Sequence, residues 1–213
     1  MKKRISMIMV ICLLLSLTAC GVNSGTNSNT EPSATQSQAE TPPSEPAAEP
    51  TEEAAKMLVV YFSATGNTKA VAEEITRLTG ADLYEIVPAV PYTDEDLNYN
   101  NNDCRANQEM NDASARPAIG SEAIDVSSYD TVFIGYPIWW GTMPRIINTF
   151  LDTYDLSGKT VLPFCTSGSS GITQSVSDIR AAEPDADVRG GLRASGANDS
   201  GIESWIADNG ISE

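Results

Sequence analysis

The chain has 213 residues, of which 41% are hydrophobic, 20% charged and 7% aromatic; this suits one folded domain with extra sequence and excludes collagen-like, coiled-coil and multi-span membrane chains. With 13 Lys and Arg against 29 Asp and Glu the formal charge is −16, so phosphate backbones are repelled and nucleic acid is not an expected partner. Histidine is absent, which excludes Ser-His-Asp and Cys-His triads, a His general base and His-ligated metals.

Residues 1–20 read as an export signal: Lys2, Lys3 and Arg4 form a positive start, and the apolar run from Ile5 to Leu17 is short for a membrane span of about 20 residues. Leu17-Thr18-Ala19-Cys20-Gly21 closes it and resembles the lipobox of bacterial lipoproteins. That resemblance implies that Cys20 is lipidated, with the mature protein outside the cytoplasm and anchored by lipid to the bacterial cell membrane. The alternative is an ordinary signal whose small cleavage residues include a Cys. Loss of Lys2, Lys3 and Arg4 takes the charge to −19. Residues 21–56 are rich in Ser, Thr, Pro and Glu, too poor in apolar surface to offset ordering entropy, and are expected to be a disordered tether or a solubilising tail.

The domain is expected over 57–213. Leu58 to Phe62 is a continuous apolar strand, as found where both sheet faces are covered. A helix follows with Val71, Ile75 and Leu78 on one face, and Gly80 ends it. Ala81 to Val87 reads as a second strand and Thr131 to Tyr136 as a third. Thr142 to Leu151 reads as a helix burying Ile146, Ile147, Phe150 and Leu151. Thr160 to Cys165 is a fourth strand, although Pro163 removes a ladder donor and predicts a bulge or a pairing gap. A helix through Ile172, Val176 and Ile179, a short strand near Asp187 to Leu192 and a helix around Ile202, Trp205 and Ile206 complete an alternation that predicts a parallel sheet with helices on both faces. Residues 88–129 form a long connection with a short helix expected near Ala106 to Asn111; such segments are functional or disordered.

Three strands lead into loops of special composition, and in an open parallel sheet those loops share one crevice. Ser63-Ala64-Thr65-Gly66-Asn67-Thr68 places hydroxyls and a glycine at a helix N-terminus, where amides and the helix dipole can hold a dianion without Lys or Arg. A turn capped by Thr65 or Asn67 reads equally well from this loop alone. Tyr136 to Pro144 carries adjacent Trp139 and Trp140, one suited to pack inward and the other to meet a flat ligand; both packed in the core is the alternative. Cys165-Thr166-Ser167-Gly168-Ser169-Ser170-Gly171 offers amides and hydroxyls to a polar ring edge, or is a turn with a Ser cap.

Phe62 to Thr68 resembles the phosphate-binding signature of flavodoxins, and Gly135 to Gly141 and Phe164 to Gly171 are similar to the second and third flavin loops of secreted, lipoprotein-type flavodoxin-like proteins. The resemblance spans 57–213. It implies a three-layer α/β/α fold, a doubly wound five-stranded parallel sheet of order 2-1-3-4-5, with FMN as cofactor. By position, Ser63, Thr65, Gly66, Asn67 and Thr68 would hold the phosphate. Pro137, Ile138, Trp139, Trp140 and Gly141 would line the ring system, one Trp stacking on it, while Thr166, Ser167, Gly168 and Gly171 would border its pyrimidine edge. The 88–129 connection departs from the simpler crossover of small electron carriers and leaves the redox partner open.

An electron carrier serving an unidentified redox protein or small acceptor, an FMN-dependent NAD(P)H or quinone oxidoreductase, and a redox-silent ligand-binding lipoprotein are the competing functions. The domain's charge of −14, from 9 Lys and Arg against 23 Asp and Glu, predicts a low potential for the fully reduced flavin. Of the body thiols, Cys104 and Cys165 are too few for a zinc CxxC set; export permits a disulfide between them, but two free thiols is the favoured reading.

Overall fold

The computed structural model describes residues 55–211; the expected signal, Cys20 and the linker as far as residue 54 lie outside the described residues. In chain order the elements are β1 (Met57–Tyr61), α1 (Asn67–Thr79), β2 (Asp82–Glu85), α2 (Arg105–Asn111), a 3₁₀ turn (Val126–Ser128), β3 (Thr131–Pro137), α3 (Arg145–Thr153), β4 (Thr160–Thr166), α4 (Thr173–Ala182), β5 (Asp187–Val188), β6 (Leu192–Ala194) and α5 (Gly201–Asp208).

Every strand pair is parallel, in the order β2-β1-β3-β4-β5, and β6 also pairs with β4. The apolar runs explain why. Successive residues of a strand face opposite sides. Leu58, Val60, Val132 and Ile134 pack with Ile146, Ile147 and Phe150 of α3 and Val176 and Ile179 of α4, all at most 4% exposed. Val59, Tyr61, Phe133 and Phe164 enter a second core on the other face with Val71 and Ile75 of α1 and Ile202 and Ile206 of α5. The four apolar residues expected to be buried by α3 are all buried, each worth about 1.5–3 kcal/mol relative to exposure.

The strand order is the one expected, but the fifth strand is divided. Val161 pairs with Val188 and Phe164 with Leu192, so Leu162 and Pro163 of β4 face three residues, Arg189 to Gly191. This is the bulge that a proline in an interior strand predicts, and it splits the single strand expected at 187–192 into β5 and β6.

Two boundaries differ. The second strand ends at Glu85 because, after Ile86 donates to the Tyr61 carbonyl, Val87 turns to the Ser121 hydroxyl and Gly120 amide. The helix expected from Thr142 begins at Arg145 because Thr142 is bonded back to Trp139 and extended Pro144 sets the helix start. The short helix in the long connection is present as α2. Cys104 and Cys165 are both free, as favoured, and both are buried.

Candidate functional site

After β1 the chain turns through Ser63 to Gly66 into α1. Gly66 adopts φ 86°, a left-handed conformation that costs glycine nothing, and no side chain caps the 13-residue helix. The capped-turn alternative is thereby overturned: neither Thr65 nor Asn67 accepts from a first-turn backbone amide. First-turn amides lack intrahelical acceptors, so the positive end of α1 stays available to an anion. The loop's hydroxyls are held around it. Ser63 Oγ accepts from the Gly66 amide (3.1 Å), Thr65 Oγ1 accepts from Asn67 Nδ2 (3.1 Å), and buried Thr68 shares a 2.8 Å hydroxyl bond with Thr166 at the end of β4. Lys69 lies 3.8 Å from Glu85, leaving neutral groups as the donors of this loop.

After β3, Trp139 and Thr142 exchange backbone bonds of 2.9 and 3.0 Å across a two-residue hairpin whose central residues, Trp140 (φ 48°) and Gly141 (φ 86°), both have positive φ. This is the requirement of a type I′ turn. Glycine meets it freely; a Trp there costs about 1 kcal/mol. The hairpin separates the two indoles. Trp139 turns inward, edge-on to Phe62 (5.6 Å) and Tyr92 (5.2 Å), whereas Trp140 is 47% exposed at the rim. One packed and one free ring is the arrangement the sequence suggested.

The facing wall comes from the long connection, which is an ordered structure. Tyr92 lies against Phe62 and Trp139, with the Arg105 guanidinium 4.0 Å above its ring. Glu109 accepts from the Tyr92 hydroxyl (2.5 Å) and from Arg105 Nε (2.7 Å), and Arg105 also donates to the Val90 carbonyl. Burial, reinforced by the Glu109 carboxylate, pushes the Tyr92 hydroxyl above its ordinary range, so it stays a donor at any physiological pH. Arg145 of α3 donates to the Glu109 and Met110 carbonyls at the end of α2, and Cys104 caps the start of α2 by accepting from the Asn107 amide.

Between the walls lies a cleft of about 430 Å³, within the size range of ligand sites, lined by Ala64, Thr65, Pro137, Ile138, Trp139 and Trp140 on the loop side and by Leu97, Tyr99 and Ala106 opposite. Among the described residues no acidic or basic side chain lines it. The fold thus brings the first two loops to one place. The third lies beside them: Thr166 reaches Thr68, its carbonyl accepts from the Ile138 amide, and Arg193 of β6 donates to the Ser167 and Gly168 carbonyls. Ser167, Gly168 and Gly171 are outside the lining of the cleft. α4 begins without a side-chain cap, so the Ser-capped turn does not form. Burial pushes the Cys165 thiol up to about 12, which makes it an inert core group. Leu97, Tyr99 and Ala106 carry no sequence signal of their own; the nearest is Tyr99, an aromatic set within a run of Asn and Asp.

A three-layer fold with this strand order, an open helix start after the first strand and an aromatic loop after the third defines a flavodoxin-like domain. A family model described as flavodoxin matches residues 56–209, and the chain belongs to that family. A candidate flavoprotein from Bacteroides eggerthii is 46% identical, with a TM-score of 0.69, covering 74% of this chain and 99% of its own. One from Bacteroides uniformis is 41% identical, with a TM-score of 0.70, covering 73% and 99%. A flavoprotein from Lactobacillus acidophilus, solved in complex with FMN, is 29% identical, with a TM-score of 0.59, covering 71% and 99%. No curated protein matches the chain.

Proposed function

We propose that this domain binds FMN and serves electron transfer outside the cytoplasm, tethered by lipid on Cys20. The observation that carries the reading is the meeting, at one end of the sheet, of an uncapped helix start with an uncharged cleft walled by an exposed tryptophan. The donor set fits the cofactor. Ser63, Thr65, Gly66, Asn67 and Thr68 hold the phosphate through amides and hydroxyls, Pro137 to Gly141 line the ring with Trp140 stacking on it, and Thr166, Ser167, Gly168 and Gly171 border its polar edge. The FMN-complexed relative supports FMN as the cofactor. FMN supplies the redox chemistry when bound; the chain orients it, excludes water from one face and, through the net negative charge of the whole domain, disfavours reduction.

Titration of the purified domain with FMN, followed by flavin fluorescence and absorbance, tests this. Saturable one-to-one quenching is expected, with a midpoint potential below that of free FMN. Folded protein that leaves FMN fluorescence unchanged overturns the reading. Substitution of Cys20 by Ser should abolish metabolic labelling with palmitate and release the protein from membranes; unchanged labelling removes the tether.

The second wall favours one further reading, an FMN-dependent oxidoreductase, because a built face of Leu97, Tyr99 and Ala106 gives a small substrate a place to lie. FMN-dependent oxidation of NAD(P)H with a quinone acceptor supports the enzyme; two separated one-electron couples without turnover support the carrier.

A further inference from the structure

We infer that Asp178 is a positioning residue for the cleft: acting through Thr142, it holds the hairpin that presents the Trp140 ring. The inference rests on the FMN reading above and concerns a residue outside the cleft lining.

Two-residue turns with positive φ at both central positions are normally occupied by Asn, Asp or Gly. Trp140 stands in the first of them at φ 48°, 47% exposed as a residue and with a single edge-on ring contact, to Trp139 at 6.3 Å. Burial of Trp140 itself therefore does not keep this strained turn closed, although Trp139 beside it is packed inward. Its own ladder is one pair, Trp139 with Thr142. The side-chain anchor from α4 is a hydrogen bond from the Thr142 hydroxyl to Asp178 Oδ2. The other Asp178 oxygen accepts from Gln174 Nε2 at 2.8 Å, one helical turn earlier, so the carboxylate is aimed from both sides. α4 is a firm base for this: Ser175, Val176 and Ile179 are buried, and Ser175 is tied to the Tyr136 hydroxyl (3.0 Å) just before the hairpin. A hydroxyl donating to a carboxylate is among the stronger neutral-to-charged bonds and fixes direction as well as distance. The chain accepts a left-handed Trp and closes it from behind, leaving the exposed ring face free for a flat ligand.

The test compares FMN affinity and ligand-free near-ultraviolet circular dichroism for D178A, D178N, T142V, W140G and the D178A/W140G double variant, with thermal midpoints for all. D178A and T142V should each weaken FMN on the order of tenfold and diminish the tryptophan dichroism. D178N, which keeps an acceptor oxygen, should lose no more than about threefold. W140G should weaken FMN by tenfold or more while raising the thermal midpoint, because glycine relieves the turn. In the W140G background, D178A should cost nothing further. An equal loss in that background, or a D178A protein with unchanged affinity and dichroism, overturns the inference. If the unaltered protein takes up no FMN, it is the FMN reading that fails, and the ligand-free dichroism still decides whether Asp178 sets the ring.

Discussion

The two walls of the cleft are made by different means. The loop wall, 63–68 and 137–142, takes its shape from the backbone: a left-handed glycine, an uncapped helix and a two-residue hairpin, formed within a few residues of the strands they follow. Among the side-chain bonds described above, it is tied from outside only at Thr68–Thr166 and Thr142–Asp178. The facing wall is a property of side chains. Tyr92, Arg105, Glu109 and Arg145 hold it through contacts that join residues 15 to 36 positions apart. One wall is written locally and resists change at its glycines; the other is a network that fails when one member is removed.

The largest expected effect strikes the platform beneath the loop wall. A Cβ on Gly135 would lie 2.2 Å from the Phe164 ring, in a fully buried layer between β3 and β4. Gly135→Ala should cost about 3 kcal/mol by denaturant titration, through overpacking; a cost near zero would mean that Phe164 swings aside freely. Next comes the facing wall: Glu109→Ala leaves the Tyr92 hydroxyl and Arg105 without their shared acceptor and should cost about 2 kcal/mol. Faster hydrogen exchange over 88–112 with unchanged exchange at 63–68 would confirm that the walls are separable. Thr68→Val removes the bridge to Thr166, at about 1 kcal/mol, and should weaken FMN about tenfold; undiminished affinity would remove Thr68 from the phosphate site.

The smallest effect is one of pH, and it distinguishes the walls. Asp96 and Asp112, both in the long connection, have carboxyls held below the usual value of 3.8, Asp96 by the Thr93 amide and hydroxyl and Asp112 by the Ser114 hydroxyl and amide. Groups with depressed values stabilise the fold above their unfolded pKa, and that contribution is lost as pH falls through the folded value. Limited proteolysis should therefore open 88–112 below about pH 3.8 before the loop wall loosens. Simultaneous opening of both walls would show that they are one cooperative unit.

The same contrast explains what could be read from the sequence. The parallel sheet, the two-sided cores and the first two loops follow from apolar runs, helical spacing and turn chemistry, all visible in neighbouring letters, whereas the strand order is implied only by the flavodoxin resemblance. Pro163 even announced the bulge in its ladder. α3 starts later than the sequence predicts because Thr142, a plausible first helical residue, is taken by a hairpin that a Trp-Gly pair does not advertise. Nothing local in the sequence marks Leu97, Tyr99 and Ala106; contacts such as Ala106 to the Asp96 carbonyl and Asn107 to the Tyr99 carbonyl place them, and those exist only after folding.

The interrupted fifth strand has a consequence for the molecule among its neighbours. It forms the outer margin of the sheet, and pieces of two and three residues on either side of a kink offer no continuous row of amides and carbonyls. A second molecule cannot zip onto so broken a border, so copies crowded onto one surface would have no ready seam there along which to aggregate.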